Sequence, residues 1–201
     1  YEHDLGFRVA KSAGSTVALS TTGQPPAQVI LTGDPAAVPR PPRSPGLFHV
    51  ALRYPNRGAL AAALRRLVHH GYPIHGASDH AVSEAIYLAD PEGNGIELYC
   101  DRPKELWQWR DGEVYMVTEP LDIDGLLAET DAPASAMHPQ TDVGHVHLSV
   151  SSLAEAEQFY ARMVGFEITT RSYPGALFLA AGGYHHHIGA NVWFTHNGML
   201  A

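Results

Sequence analysis

His49 and Glu97 are the two residues whose types and surroundings best suit a metal ion. His49 begins the predicted strand HVALRY, and Glu97 lies in the predicted strand GIELYC. On neighbouring strands of one curved sheet, an imidazole nitrogen and a carboxylate oxygen can converge as ligands for divalent iron or manganese. A strand glutamate between Ile96 and Leu98 needs a partner, because an unpaired buried charge is costly. The alternative is that the two are unrelated strand residues.

A third ligand is expected from a histidine upstream of Tyr1, outside the chain. The opening phrase YEHDLGFRV recurs as YARMVGFEI at residues 160–168, and His145 precedes Tyr160 by 15 residues. By the repeat, a histidine equivalent to His49 falls about 15 residues before Tyr1. Two histidines and one carboxylate form the facial triad that leaves open positions on non-haem Fe(II). With one ligand outside it, the chain alone is expected to bind iron weakly and to lack activity.

Other histidines, among 13 in the chain, suggest further roles. His145 occupies the same repeat position as His49 but has no visible glutamate partner, so we expect it at a second or vestigial site. On a strand, alternation would send His186 to the face opposite His185 and His187, so the three could not share one ion. That triple is expected to have a packing or inter-domain role.

The repeat also defines a structural unit of strand, helix and three strands. In the complete copy, a strand from His49 precedes an Ala/Leu/Arg-rich helix from about Gly58 to His69. Three β-rich segments follow, and the last ends at Cys100. The pattern predicts an α+β fold of paired βαβββ modules.

The other copies are incomplete, which predicts a chain truncated at both ends. In the last copy the strand from His145 leads to a helix capped by Ser152, with Glu155 three residues later. A short helix is predicted at about residues 122–130. We place an N-terminal half at residues 1–102, a connector at 103–141 and a C-terminal half at 142–201. The N-terminal half consists of the truncated module 1 at 1–34, a linker at 35–45 and the complete module 2 at 46–101. The C-terminal half contains module 3, with module 4 missing.

Composition excludes several classes of protein. The formal net charge of −8 disfavours nucleic acid as a partner, because an acidic surface repels a phosphate backbone. The single cysteine, Cys100, cannot form an internal disulfide, and the sequence has no run of 18 apolar residues. We therefore expect a cytoplasmic protein with no membrane partner.

The segment HAVSEAIYLADPEGNGIE at residues 80–97 resembles the signature of extradiol ring-cleaving dioxygenases, which belong to the vicinal oxygen chelate superfamily. The phrases GASDH, GNGIELY and GGYHHHIG are similar to the two-domain catechol 2,3-dioxygenase branch of bacteria. The resemblance covers essentially the whole chain. It implies the fold of paired βαβββ modules.

The same resemblance implies a role for four residues. His49 and Glu97 would be ligands of Fe(II), with Mn(II) as the alternative metal, in the N-terminal half. His80 would be the acid/base residue and Tyr87 the tyrosine near the substrate, which would be a small aromatic diol cleaved with O2. An imidazole that titrates near neutrality suits the removal of catechol protons.

Two other functions remain open on the sequence alone. A glyoxalase-like metalloenzyme of the same superfamily would use the same histidine and glutamate with another metal. A metal-free protein of the same fold would sequester an aromatic ligand, although Glu97 argues against a merely apolar cleft. Edge strands of such modules are compatible with a homo-oligomer.

Overall fold

The N-terminal segment forms a small antiparallel sheet. The computed structural model describes residues 1–195. Strands β1 (Arg8–Ala13), β2 (Thr16–Ser20) and β3 (Val29–Thr32) pair in chain order. Apolar side chains of this segment, Leu5 and Phe7 among them, join the main hydrophobic core.

The next segment has the predicted order of strand, helix and three strands. Its elements are β4 (Gly46–Tyr54), α1 (Arg57–His69), β5 (Gly76–Asp79), β6 (Ser83–Ala89) and β7 (Gly95–Asp101). The Asn56 side chain caps α1 by accepting a hydrogen bond from the Ala59 amide at 2.9 Å. Leu60, Leu64 and Leu67 follow the helical repeat and are buried in the core that α1 shares with β4 and β7.

The connector contains one short helix and three short strands. After a 3₁₀ turn (Lys104–Leu106), the strands are β8 (Trp109–Arg110), β9 (Glu113–Val114) and β10 (Glu119–Pro120). The predicted short helix is confirmed as α2 (Ile123–Leu127), which Asp122 caps. The strands escaped prediction because two-residue segments have too few side chains for a periodic pattern.

The last segment repeats part of the unit. It contains β11 (Asp142–Ser149), α3 (Leu153–Glu157), β12 (Glu167–Thr170), β13 (Ala176–Ala180) and β14 (Ile188–Asn191). Ser152 caps α3 as predicted, and the helix continues in π geometry over Gln158–Val164. Residues 196–201, which the sequence analysis included in the C-terminal half, lie outside the described residues.

One nine-stranded sheet, in the order β10-β5-β6-β7-β4-β11-β14-β13-β12, combines strands from both proposed halves. At its centre β4 runs parallel to β7 and antiparallel to β11. This mixed α+β architecture confirms the predicted fold class, while the division into halves stays a proposal. In the described part of the chain, no helix is both long enough and apolar enough to cross a membrane.

Candidate metal centre

Three buried side chains from adjacent central strands meet in one cluster: His49 of β4, Glu97 of β7 and His145 of β11. Glu97 Oε2 lies 2.8 Å from His49 Nε2 and 3.3 Å from His145 Nε2. The two Nε2 atoms lie 3.4 Å apart. The three potential ligand atoms therefore form a nearly equilateral triangle inside the sheet.

Two glycines allow the strands that carry this cluster to come close together. Gly95 of β7 lies opposite His49, and a Cβ there would overlap the Phe48 carbonyl oxygen. Gly144 of β11 faces Tyr99, whose hydroxyl occupies the space that a Cβ would need. The backbone at these two positions therefore depends on glycine.

The electrostatics of the cluster suit a divalent cation. Burial alone would raise the pKa of the Glu97 carboxyl, but interactions with His145 and His49 lower that pKa well below its usual value. Burial is also the main cause that lowers the pKa of His145. A carboxylate and neutral imidazoles are the forms that bind metals.

The spacing of the cluster also fits an ion. Ligand atoms at bonds of about 2.0–2.2 Å around one ion lie roughly 3 Å from one another, close to the separations seen here. Two nitrogens in this region, His145 Nδ1 and His147 Nε2, are buried without a hydrogen-bond partner among the described residues. The region therefore contains more polar atoms than the described side chains satisfy, as expected where a polar ligand binds.

His80 and Tyr87 form a hydrogen-bonded pair beside the cluster. Tyr87 of β6 lies opposite Glu97 of β7 in the sheet register. His80 Nδ1 lies 2.6 Å from the Val117 carbonyl oxygen, and its Nε2 lies 2.6 Å from the Tyr87 hydroxyl. Because a carbonyl only accepts, a neutral His80 donates from Nδ1 and accepts from Tyr87 at Nε2. Burial and the charge of Glu97 raise the pKa of Tyr87 well above its usual value, so its phenol stays protonated.

The cluster forms one wall of a cavity of about 390 Å³, a size typical of small-molecule sites. Its aromatic lining comes from Phe48, Tyr173, Phe178 and Trp193. The described lining residues include no lysine or arginine. The cavity therefore offers aromatic surface, without a described lysine or arginine, next to the candidate metal ligands.

The position of His145 differs from the one that the sequence analysis assigned. A second or vestigial site was expected because, without a fourth module, no glutamate partner was visible for His145. The structure instead pairs β11 with β4, which brings His145 to Glu97 of the preceding module. A histidine upstream of Tyr1 is thus not required for a set of three ligands.

The strand assumed for the histidine triple is absent, while its packing or inter-domain role stays a prediction. His185, His186 and His187 precede β14, so strand alternation does not apply to them. The rings of His185 and His186 are in contact through their Nδ1 atoms at 2.7 Å, and both residues are buried. His186 lines the cavity, with its ring centroid 4.2 Å from that of His145.

The four residues singled out by the resemblance, His49, Glu97, His80 and Tyr87, all line this cavity. His147 and His186 line it too; the sequence analysis did not single out His147, and it gave His186 a packing or inter-domain role. His147 could have been found, because a residue two positions after His145 projects from the same face of a strand. No local pattern indicated His186, since its position depends on a turn.

Known proteins of one superfamily are similar to this chain. A family model described as the Glyoxalase/Bleomycin resistance protein/Dioxygenase superfamily matches residues 1–98. The chain is 47% identical over 202 residues to a catechol-2,3-dioxygenase of Bacillus subtilis (strain 168), covering 98% of this chain and 70% of the relative. It is 28% identical over 158 residues to biphenyl-2,3-diol 1,2-dioxygenase 3 of Rhodococcus globerulus, covering 76% and 70% of the two chains.

Among solved structures, a crystal structure from Bacillus subtilis subsp. subtilis str. 168 superposes with a TM-score of 0.63 at 16% identity. The match covers 96% of this chain and 58% of that chain. At this identity the likeness demonstrates the shared fold. The chain thus spans little more than half the length of that protein.

Proposed function

The chain belongs to the Glyoxalase/Bleomycin resistance protein/Dioxygenase superfamily, and we propose that it is part of an extradiol dioxygenase that opens the ring of a catechol with O2. The observation that carries this proposal is the buried His49–Glu97–His145 cluster beside the His80–Tyr87 pair. Similarity to a catechol-2,3-dioxygenase over nearly the whole chain supports the same class of oxidoreductase.

His49, Glu97 and His145 are the proposed metal ligands. Two imidazole nitrogens and one carboxylate oxygen are the donor set of non-haem Fe(II) oxygenases, and Mn(II) accepts the same ligands. When bound, the metal supplies Lewis acidity and redox chemistry at open coordination positions. All three residues are buried, so little of each side chain is in contact with bulk solvent.

His80 and Tyr87 are the proposed proton-handling residues. A catechol must lose protons when it binds through its oxygens, and the imidazole of His80, reached through the Tyr87 hydroxyl, is a suitable base. The Tyr87 phenol, held protonated by burial, donates its hydrogen to His80 Nε2, and its oxygen can accept a hydrogen bond from a catechol hydroxyl without adding charge. The 2.6 Å contact between them allows a proton to move from one to the other.

The cavity lining favours an uncharged aromatic diol. Phe48 and Phe178 lie edge-on to His147, and Trp193 packs against both Phe48 and His147. Aromatic side chains in such offset arrangements provide surface for a further ring. Among the described lining residues, no cation is present to pair with a carboxylate on the substrate.

The test is oxygen consumption together with near-visible absorbance of the ring-opened product, using catechol and the natural-length protein loaded anaerobically with Fe(II). We expect oxygen uptake with a yellow product. We also expect His80→Gln to keep its iron and to lose about 100-fold in rate, the lower range for loss of a general acid/base. The exposed His75 provides the matched control, and His75→Gln is expected to behave as wild type.

Each other outcome contradicts the proposal in a specific way. Bound metal without oxygen uptake would favour a glyoxalase-like reaction on the same ligands. No bound metal would favour a protein that sequesters aromatic molecules. Full activity in His80→Gln would remove His80 from the mechanism.

A further inference from the structure

Three side chains form a hydrogen-bonded line that leads from the cavity towards the surface. His186 lines the cavity, and its Nδ1 lies 2.7 Å from Nδ1 of His185. His185 is fully buried, and its Nε2 lies 2.9 Å from Asp101 Oδ1. The Asp101 side chain, at the end of β7, is 24% exposed. The line thus connects a cavity residue to a carboxylate at the surface.

Neighbouring groups fix the position of Asp101. The Tyr184 hydroxyl lies 2.9 Å from both of its carboxylate oxygens. The Arg53 guanidinium lies 3.6 Å from Asp101 Oδ2. Arg53 is itself held by hydrogen bonds that its Nε and Nη2 donate to Asp142, at 3.0 and 2.7 Å. A carboxylate next to a guanidinium is stabilised as an anion, which can only accept hydrogen bonds.

The chemistry of Asp101 determines where both histidines carry their protons. Since Asp101 only accepts, His185 donates from Nε2, and a neutral His185 then has a bare Nδ1. That bare nitrogen accepts a hydrogen bond from Nδ1 of His186. A neutral His186 therefore has a bare Nε2, and this atom makes no hydrogen bond to any residue within 1–195.

We propose that Asp101 and His185 are positioning residues, which hold His186 in its Nδ1–H tautomer so that Nε2 accepts a hydrogen bond from a hydroxyl of the bound diol. The substrate part of this inference rests on the proposed function. The tautomer part rests on the hydrogen-bonded line alone.

A diol needs such an acceptor, because each of its hydroxyls is a donor and the cavity wall is otherwise largely aromatic. His80 Nε2 already accepts from Tyr87. His186 offers a second acceptor on the side of the cavity formed by His145 and Phe178, with its ring centroid 4.8 Å from that of Phe178. A ring without hydroxyls gains nothing from this nitrogen, so the line selects for hydroxylated aromatics.

The tautomer is tested by nitrogen NMR on the protein labelled with ¹⁵N-histidine and loaded with Zn(II), which keeps the spectrum diamagnetic. We expect His185 in the Nε2–H form and His186 in the Nδ1–H form, assigned with His186→Gln. A wild-type His186 protonated at Nε2 would overturn the proposal without any variant. This readout does not depend on turnover, so failure of ring cleavage would count against the proposed function and not against the line.

The substrate role is tested by catechol binding to the same Zn(II)-loaded protein. His185→Phe keeps a ring of similar size but breaks the line, and we expect His186 to lose its single tautomer and catechol affinity to fall about three- to tenfold. His187→Phe is the matched control, since His187 lies next to the line without belonging to it; its affinity should stay within about twofold. Asp101→Asn, which can donate as well as accept, should give a mixture of His186 tautomers. Unchanged tautomer and affinity in both line variants would overturn the proposal.

Discussion

Glu97 provides the negative charge that makes the candidate centre suitable for a cation. It is buried between two imidazoles, and its low pKa keeps it ionised across the neutral range. Such a charge is costly inside a sheet unless a cation or hydrogen bonds compensate it. The two histidine nitrogens compensate it in part, and a divalent ion would complete the compensation.

The residue-scale prediction concerns Glu97→Gln and His145→Ala. We expect each to weaken Fe(II) binding by more than about 100-fold. Replacing a residue that only hydrogen-bonds to a metal ligand already costs about 10–100-fold in metal affinity. Anaerobic titration followed by metal analysis measures the effect. Glu92→Gln and His75→Ala, both at exposed positions, should bind iron as wild type does. Normal binding in His145→Ala would return His145 to a second or vestigial role.

At the scale of elements, the cluster depends on the close approach of β4 to both β7 and β11. The repeat, the capping residues and the helical spacing of leucines predict these strands and α1, because each of those signals is local. The pairing of β4 with β11 joins residues about 96 positions apart and leaves no local pattern. For that reason His49 and Glu97 were found from sequence, while His145 was assigned to another site.

The element-scale prediction concerns Gly95→Ala. The added Cβ would overlap the Phe48 carbonyl, so β7 must move away from β4. We expect a loss of about 1–3 kcal/mol in the free energy of unfolding, together with weaker iron binding. Thermal or denaturant unfolding measures the first effect and metal titration the second. Gly76→Ala is the matched control, because nothing lies within 4 Å of a Cβ at that strand position. Equal stability of the two variants would contradict the close approach.

At the scale of the whole molecule, the net charge and the cavity lining both disfavour an anionic substrate. The chain has a formal net charge of −8, and the described cavity lining contains no lysine or arginine. An anionic substrate is therefore repelled on approach and has no partner once it is desolvated. The overall acidity was evident from composition, whereas the lack of lysine and arginine in the described lining could be recognised only from the fold.

The prediction at this scale is a preference for catechol over 3,4-dihydroxybenzoate. We expect kcat/KM to be at least about tenfold higher for catechol, which corresponds to about 1.4 kcal/mol of discrimination. Oxygen-uptake kinetics on both substrates measure the ratio. Raising the salt concentration should lower this ratio only slightly. Burial of the substrate carboxylate contributes more to the discrimination than long-range repulsion, which salt screens. A ratio near one would show that a cation reaches the substrate from elsewhere in the protein.

The measurement that tests the central claim most directly is anomalous X-ray diffraction at the iron edge, on crystals of the protein loaded anaerobically with Fe(II). The account predicts one strong peak bonded to His49 Nε2, Glu97 Oε2 and His145 Nε2, facing the aromatic cavity. Iron bound through other residues, or a peak that does not include His145, would contradict it.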